Sequence, residues 1–589
     1  MAVSSSIPPV SKQLSKPRWS FREHSGSILT WFFCALVFGP FLIYPVVQVM
    51  IRALSSFDFA TGTRTFSPSL LLLPISRPIV RESLINSLWL GVLVTILASV
   101  LAIPLAYAAA RLKFWGKSFL TGLLLVPLLL PPLVGAVGLK QMLAREGFIN
   151  TLLGRVQNPI DFLGSTSLGG WGPLLMVVVV VALHLYPLIY LNVSAAWANV
   201  DSSLEEAAEN QGASAWRVFF TVTLPLIWPG YVSGALIVFI FAFTDLGTPL
   251  IFGFRRVAAF QIYDARAAQD PAGYVVALYV VILASLIFWV SRRFLDGGKI
   301  STLARGTRRA REARPAPWVL PLLYAYFLAV IGAALLPHFG VFLASFASDW
   351  TSRLWPAWTL DNYHQVFTSP VIPAAAAIKV SILCAFASMI LDVVGGFALA
   401  YGLVRGKVWA RGFIDTLAML PLALPGLVLA FGLLTIYHAP PFLGTAIDPF
   451  VNPIPLLIIS YAIRRLPYAL RSVSAGLQQT NIALEEAAQN MGATPLQTMW
   501  QITRPLITAN LIAAGLLTFA FAVLEVSDSL VLAASPQTIP IAQAIFRMVQ
   551  SGKIFPACAL GVVGMLLLTA TFMVVNKLLG KQLGSLFRV

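Results

Sequence analysis

A polar stretch of 21 residues occurs twice, each copy between long apolar runs, and this leaves few folds open to the chain. Residues 205–225 read EEAAENQGASAWRVFFTVTLP, and residues 485–505 read EEAAQNMGATPLQTMWQITRP. At an offset of 280, nine of the 21 positions are identical: Glu205/Glu485, Glu206/Glu486, Ala207/Ala487, Ala208/Ala488, Asn210/Asn490, Gly212/Gly492, Ala213/Ala493, Thr223/Thr503 and Pro225/Pro505. Each copy reads as a short helix. Ser203 is placed to cap the first, with Glu206 three residues on as its capping-box partner. Paired glutamates suit the positive end of the helix dipole. Gly212 and Gly492 are placed to stop the helix in the left-handed conformation, and Pro225 opens a new segment. Glu-Glu-Ala-Ala alone is ordinary helix-former composition. The second copy, with Gly and Pro at matched offsets, makes the stretch specific.

The residues around the two islands name the solvent. Of 589 residues 58% are hydrophobic and 11% charged, with a mean hydropathy of +0.83, which no soluble globular domain shows. Apolar runs of about 20 residues read as transmembrane helices, because lipid offers backbone groups no partner outside their own segment. Twelve are expected, at 28–50, 84–110, 118–139, 173–197, 226–252, 273–294, 318–346, 375–403, 411–437, 454–476, 508–533 and 556–579, giving an all-α integral membrane fold. The first is too long for a signal-peptide core and reads as a retained helix. With the N-terminal tail (1–27) in the cytoplasm, the inner segments hold 23 of the 40 Lys and Arg, as the positive-inside rule asks. Both termini and both polar islands then face the cytoplasm. The net charge of +17 sits in short loops, which favours membrane orientation over nucleic-acid binding.

A basic stretch, RRFLDGGKISTLARGTRRAREARPAP (292–317), separates two halves of six helices, with domain limits at 28–294, a linker at 295–317, and 318–589. The repeat extends beyond the islands. Ser87, Ala106, Tyr107, Arg111 and Trp115 match Ser381, Ala400, Tyr401, Arg405 and Trp409 at an offset of 294, and PLLLPP (127–132) lies over PLALPG (421–426). Six helices are an even number, so the halves are parallel copies related about an axis along the membrane normal.

The pattern Glu-Ala-Ala, three residues, Gly, nine residues, an aliphatic residue, one residue, Leu-Pro resembles the cytoplasmic signature of ABC-importer permeases. The first copy fits through Val222, Leu224 and Pro225; the second departs at Arg504, where Leu is usual. The resemblance covers essentially the whole chain after the tail and implies a type I importer fold in the inner membrane. It implies that Glu205, Glu206, Ala207, Ala208, Gly212, Glu485, Glu486, Ala487, Ala488 and Gly492 form coupling helices. These would dock on two copies of a separate cytoplasmic ATPase, which would carry ATP and Mg, with a solute-binding protein on the other face. PLLLPPLVGAVGLKQML (127–143), TDLGTPLIFGF (244–254) and RRLPYALRS (464–472) look like the fused permeases for ferric iron. Close relatives of that group handle phosphonates, sugar phosphates, thiamine or polyamines. A reading from another class is an ATP-independent secondary transporter or channel, but such proteins often use inverted repeats.

No enzyme is indicated. Trp115-Gly116-Lys117-Ser118 ends like a phosphate loop, but Arg111 stands where its first glycine is required. No metal site is expected, and Cys34, Cys384 and Cys558 read as packing residues. Candidate pathway groups are the ionisable residues inside apolar runs, where a charge costs roughly 2.5–3.5 kcal/mol even on a lenient scale. These are Asp245 and Glu525 within the fifth helix of each half, Asp528, His184, Arg464 and Arg465. The bland alternatives are polar locks between helices and snorkelling at the outer interface. Adjacent residues diverge by about 100°, so at most one arginine is expected to face the pathway while the other pairs with Glu525 or Asp528. A pathway-lining Arg would favour an anionic cargo, or iron with an anionic ligand.

Overall fold

The computed structural model describes residues 21–58, 63–162, 164, 171–268, 270, 271–296, 312–368, 373–406, 408–523, 525–535 and 538–579. Most of the expected N-terminal tail and linker, and the last ten residues, lie outside this set. Among the described residues, seven helices are long and apolar enough to cross a membrane: Thr30–Ala53, Pro78–Arg111, Gly172–Ala198, Ala215–Phe243, Val319–Ser345, Ala374–Arg405 and Ile554–Thr571. Three bent pairs raise the number to as many as ten. The remaining expected spans are also helical, Pro271–Asp296 and Ile454–Gln479. The second of these carries Arg464, Arg465 and Arg471.

Two of the three bends fall at matched places and proline explains both; the third, 75° between Pro495–Leu506 and Thr508–Val523, has no counterpart in the continuous Ala215–Phe243. Lys117–Leu128 meets Pro132–Met142 at 91°, and Arg411–Leu422 meets Gly426–Tyr437 at 95°. Each corner holds the LPP or LPG string, where proline denies the ladder an N–H and pushes its predecessor out of the helical region. The fifth helices, expected to be continuous, are broken instead. Leu224–Phe243 stops, and Gly247–Phe252 restarts after Thr244, Asp245 and Leu246. Thr508–Val523 stops, and Ser527–Leu532 restarts beyond Glu525 and Val526. Hydropathy runs straight through both breaks and so gives no warning of them.

Two small features depart from a purely helical reading and repeat with the halves. After each first helix the chain makes an antiparallel ribbon, Ser55–Asp58 with Thr63–Phe66 and Ala347–Asp349 with Ala357–Trp358. Behind each polar island a π turn, Phe219–Thr223 or Met499–Thr503, leads into the fifth helix.

The halves hold each other through their first helices. Trp31 of the first half stacks on Phe413 of the second and donates its indole N–H to the Trp409 carbonyl. Reciprocally, Tyr324 donates its hydroxyl to the Trp115 carbonyl and meets Phe114 edge-on. Close approach at the seam needs glycine. A β-carbon on Gly138 would lie 2.2 Å from the Pro337 carbonyl, and one on Gly432 would lie 2.8 Å from the Pro45 carbonyl. One hydrophobic core therefore runs through both halves. The end of the linker joins the same seam: Ala313 exchanges backbone hydrogen bonds with Arg111 and Lys113, and Glu312 pairs with Lys117 at 2.8 Å. The three cysteines are buried and free, as expected of packing residues.

Candidate functional site

The islands form helices Ser202–Asn210 and Ala483–Asn490. The expected cap is corrected. Asp201, and not Ser203, stands at the N-cap, and its carboxylate accepts the Ser203 N–H at 2.9 Å. A short acceptor serves best from the residue just outside the helix, and Ser203 is already inside the first turn. In the second copy Asn481 accepts the Ala483 N–H at 3.0 Å. Both helices end as expected: Gly212 has φ +83° and Gly492 has φ +92°, and no atom lies within 4 Å of a β-carbon built on either. The demand for glycine is thus conformational and not a matter of space.

The paired glutamates point apart, as adjacent helical residues must. Glu206 and Glu486 are exposed, as are Ala207 and Ala487, whereas Glu205 and Ala208 are half-buried and Glu485 and Ala488 are buried. Each inner glutamate meets the arginine that ends the second helix of its half. Arg111 Nη2 lies 2.8 Å from Glu205 Oε2, and Arg405 Nε donates to Glu485 Oε1 at 3.0 Å. The Arg111/Arg405 and Glu205/Glu485 matches were visible at two different offsets, and nothing in the sequence joined them. The surroundings of the pairs differ. Thr223 donates to Glu205 Oε1 at 2.6 Å; its counterpart Thr503 has no hydrogen-bond partner for its hydroxyl among the described residues. Arg405 in turn donates to the Leu477 carbonyl at 2.8 Å and to the Thr480 hydroxyl at 2.8 Å.

A second site forms at the broken fifth helices, which meet across the seam. A β-carbon on Gly247 would lie 3.0 Å from Val526 Cγ1. On the second side the break gathers four charges. Arg464 Nη1 lies 2.7 Å from Glu525 Oε1 and 3.0 Å from Asp528 Oδ1. Arg465 pairs with Glu525 and donates to the Phe521 carbonyl at 2.7 Å. Ser460 donates to Asp528 at 2.8 Å. Both arginines are therefore paired with acids, where the sequence reading paired one and left at most one to face the pathway. The backbone explains the difference: the break lets Glu525 and Asp528 approach from two directions, so one acid reaches both guanidiniums. Gly426 gives Arg464 its place, since a β-carbon there would come within 2.2 Å of its Cζ.

The first side is plainer. Asp245 accepts the Gly247 N–H at 3.1 Å. His184 Nδ1 donates to the Pro127 carbonyl at 2.8 Å, so that nitrogen carries the proton. Lys140 donates to the Ile251 carbonyl at 2.7 Å. Sequence reasoning passed over Asp392, which is fully buried on Ala374–Arg405, with no hydrogen-bond partner for either oxygen among the described residues. An acid inside an apolar run was the available signal, the one that singled out Asp245. Among the described residues no cluster of His, Cys, Asp and Glu has the makings of a metal site.

Comparison with known proteins agrees with this geometry. Residues 98–297 and 392–584 match the family described as "Binding-protein-dependent transport system inner membrane component". The "Ferric transport system permease protein FbpB" of Actinobacillus pleuropneumoniae is 26% identical over 554 residues, covering 92% of this chain and 76% of that protein. A putative ferric transport system permease protein of Haemophilus influenzae is 25% identical over 511 residues, covering 83% and 75%. The "Molybdenum transport system permease protein ModB" of Haemophilus influenzae is 37% identical over 204 residues, covering 33% of this chain and 85% of that protein.

Proposed function

The chain belongs to the family of binding-protein-dependent transport system inner membrane components, and from that premise we propose that it is the whole translocation unit of an importer, two permease halves of six spans each in one polypeptide. It takes a solute from a binding protein outside and releases it inside by alternating access. Two ATPase subunits dock on Ser202–Asn210 and Ala483–Asn490 and hydrolyse ATP with Mg; this chain supplies no ATP site, and both its termini are cytoplasmic. The observation that carries the reading is the pair of matched polar helices, each ended by a positive-φ glycine and each presenting an exposed glutamate. Co-purification tests it: ATPase subunits should remain bound to the permease and be lost when both exposed helices are replaced by polar linkers. A permease that transports without them is a secondary transporter.

The cargo we favour is ferric iron accompanied by an anionic ligand. Its support is the ferric transport for which the two relatives that cover most of the chain are named. The paired state of Arg464 and Arg465 removes the argument from a lone cationic barrier, since two arginines face two carboxylates. Beside the break in the second fifth helix lies a narrow apolar cavity of about 10 Å³ lined by Pro131, Leu133, Val526 and Ile541. Proteoliposomes holding permease, ATPase and binding protein should accumulate radiolabelled ferric iron only with internal ATP. Uptake of phosphonate or thiamine in place of iron would overturn the cargo.

A further inference from the structure

We propose that the adjacent pair of glutamates in each coupling helix has separate tasks: Glu205 and Glu485 tie the helix to its own permease half through Arg111 and Arg405, and Glu206 and Glu486 face the ATPase. This deepens the proposed function and rests on its reading of the two helices as ATPase docks.

The first support is burial. The side chains of Glu485 and Arg405 are 5% and 11% exposed, those of Glu205 and Arg111 20% and 8%, so these groups are already occupied within the chain. An exposed ion pair holds little; a nearly dry one between a fixed helix end and a docked helix holds its geometry, because either partner left alone would be a buried, uncompensated charge.

The second support is where the arginines stand. Each is the last residue of its helix, Pro78–Arg111 and Ala374–Arg405, where a cation suits the negative end of the helix dipole. Arg405 also holds the Leu477 and Thr480 carbonyls at the end of Ile454–Gln479, at 2.8 and 3.2 Å. One guanidinium thus gathers the ends of two long helices and the coupling helix. In the first half Thr223 adds a link from Glu205 to the start of the fifth helix. A push on the coupling helix is therefore passed to the ends of the helices that line the seam, and the exposed glutamates do not share in that path.

The experiment uses the full transporter in proteoliposomes, titrating ATPase against permease and reading two quantities: the maximal cargo-stimulated hydrolysis, and the ATPase concentration at half-saturation. Glu485→Gln and Arg111→Gln should lower the maximum about tenfold, within the range of ordinary coupling energies, with little change in half-saturation. Glu206→Gln and Glu486→Gln should raise the half-saturation concentration. The exchange Arg111→Glu with Glu205→Arg should restore the maximum lost in Arg111→Gln, which a merely packed residue would not do. Monodisperse elution of each variant establishes that it folds. If Glu485→Gln shifts half-saturation as Glu486→Gln does, both glutamates face the ATPase and the division of tasks is wrong, while the docking assignment stands. If none of these variants alters either quantity, the docking assignment itself fails.

Discussion

In the first half the break in the fifth helix holds one acid, Asp245, whose Oδ1 accepts a backbone N–H while its Oδ2 has no partner among the described residues, and His184 donates a hydrogen bond to the Pro127 carbonyl. In the second half the equivalent break holds Glu525 and Asp528, clamped by Arg464 and Arg465, with Asp392 buried in the wall behind. The backbones agree in the proline corners of the third helices, the π turns and the glycine stops, yet the charge content of the two breaks is unlike. A duplicated fold keeps what the backbone requires, because every half must meet the same hydrogen-bond accounting in lipid. The side chains inside a break are held by that accounting only as a set, so one half is served by neutral groups and the other by a closed ring of charges.

The largest effect separating the halves should come from Arg465→Leu, which leaves Glu525 and Asp528 to share the single guanidinium of Arg464, one buried negative charge in excess. A loss of about 3–5 kcal/mol is expected from breaking a buried pair, against about 1 kcal/mol for His184→Leu, which forfeits one hydrogen bond. Thermal unfolding of the purified proteins measures both; equal losses would show that the charge ring carries no special weight. Next in size, the two halves should respond alike to alanine at Gly212 or Gly492, by about 1 kcal/mol each, since both have positive φ and open space around them. Both variants should also lose cargo-stimulated hydrolysis, and normal stimulation in both would break the likeness of the two docks.

A third contrast is finer. Thr223→Val should cost about 1 kcal/mol by removing the bond to Glu205, whereas Thr503→Val should be neutral or slightly stabilising, because that hydroxyl has no partner to lose. The smallest effect concerns the loops that follow Pro132–Met142 and Gly426–Tyr437. Asn150 pins one of them through bonds to Ala144 and Ile160, and Asp448 pins the other through Gly444, Phe450 and His438. Burial alone would raise the Asp448 carboxyl, but the N–H groups of Gly444 and Phe450 and the His438 ring outweigh it and hold it below the usual range. A depressed carboxyl contributes stability that is complete above the unfolded value of about 3.9 and fades as pH falls through the lower folded value. Acid should therefore speed hydrogen exchange at Gly444 and Phe450, relative to unstructured peptide, and leave Ile160 unaffected. Parallel loosening of both loops would remove the distinction.

Legibility followed the range of the interactions. The glycine stops, the prolines and the repeat could be read because each is a local requirement repeated at a fixed offset. The cap was misplaced by two residues because Asp201 and Ser203 are both good cap types, and only the backbone decides between them. The breaks at Asp245 and Glu525 were hidden, since an apolar run looks the same whether its helix is whole or interrupted. The Arg111–Glu205 and Arg405–Glu485 pairs join residues far apart in the chain, so each partner was noticed without the other. Pairing both arginines with Glu525 required the break, so the sequence reading joined only one of them to an acid.

The π turns behind the coupling helices bear on how such a chain tolerates a change of length. A turn closed by i→i+5 bonds carries one residue more than an α turn while sweeping nearly the same angle. Deleting one residue within 219–223 or 499–503 would leave an ordinary helical turn, and the coupling helix would keep its aim. The same deletion a turn further along, inside Leu224–Phe243, would turn everything before it by about 100° about the axis of that helix, carrying Ser202–Asn210 as a body away from Arg111. The two wide turns are thus the places where a docking element and a membrane helix can differ by one residue in count without losing alignment.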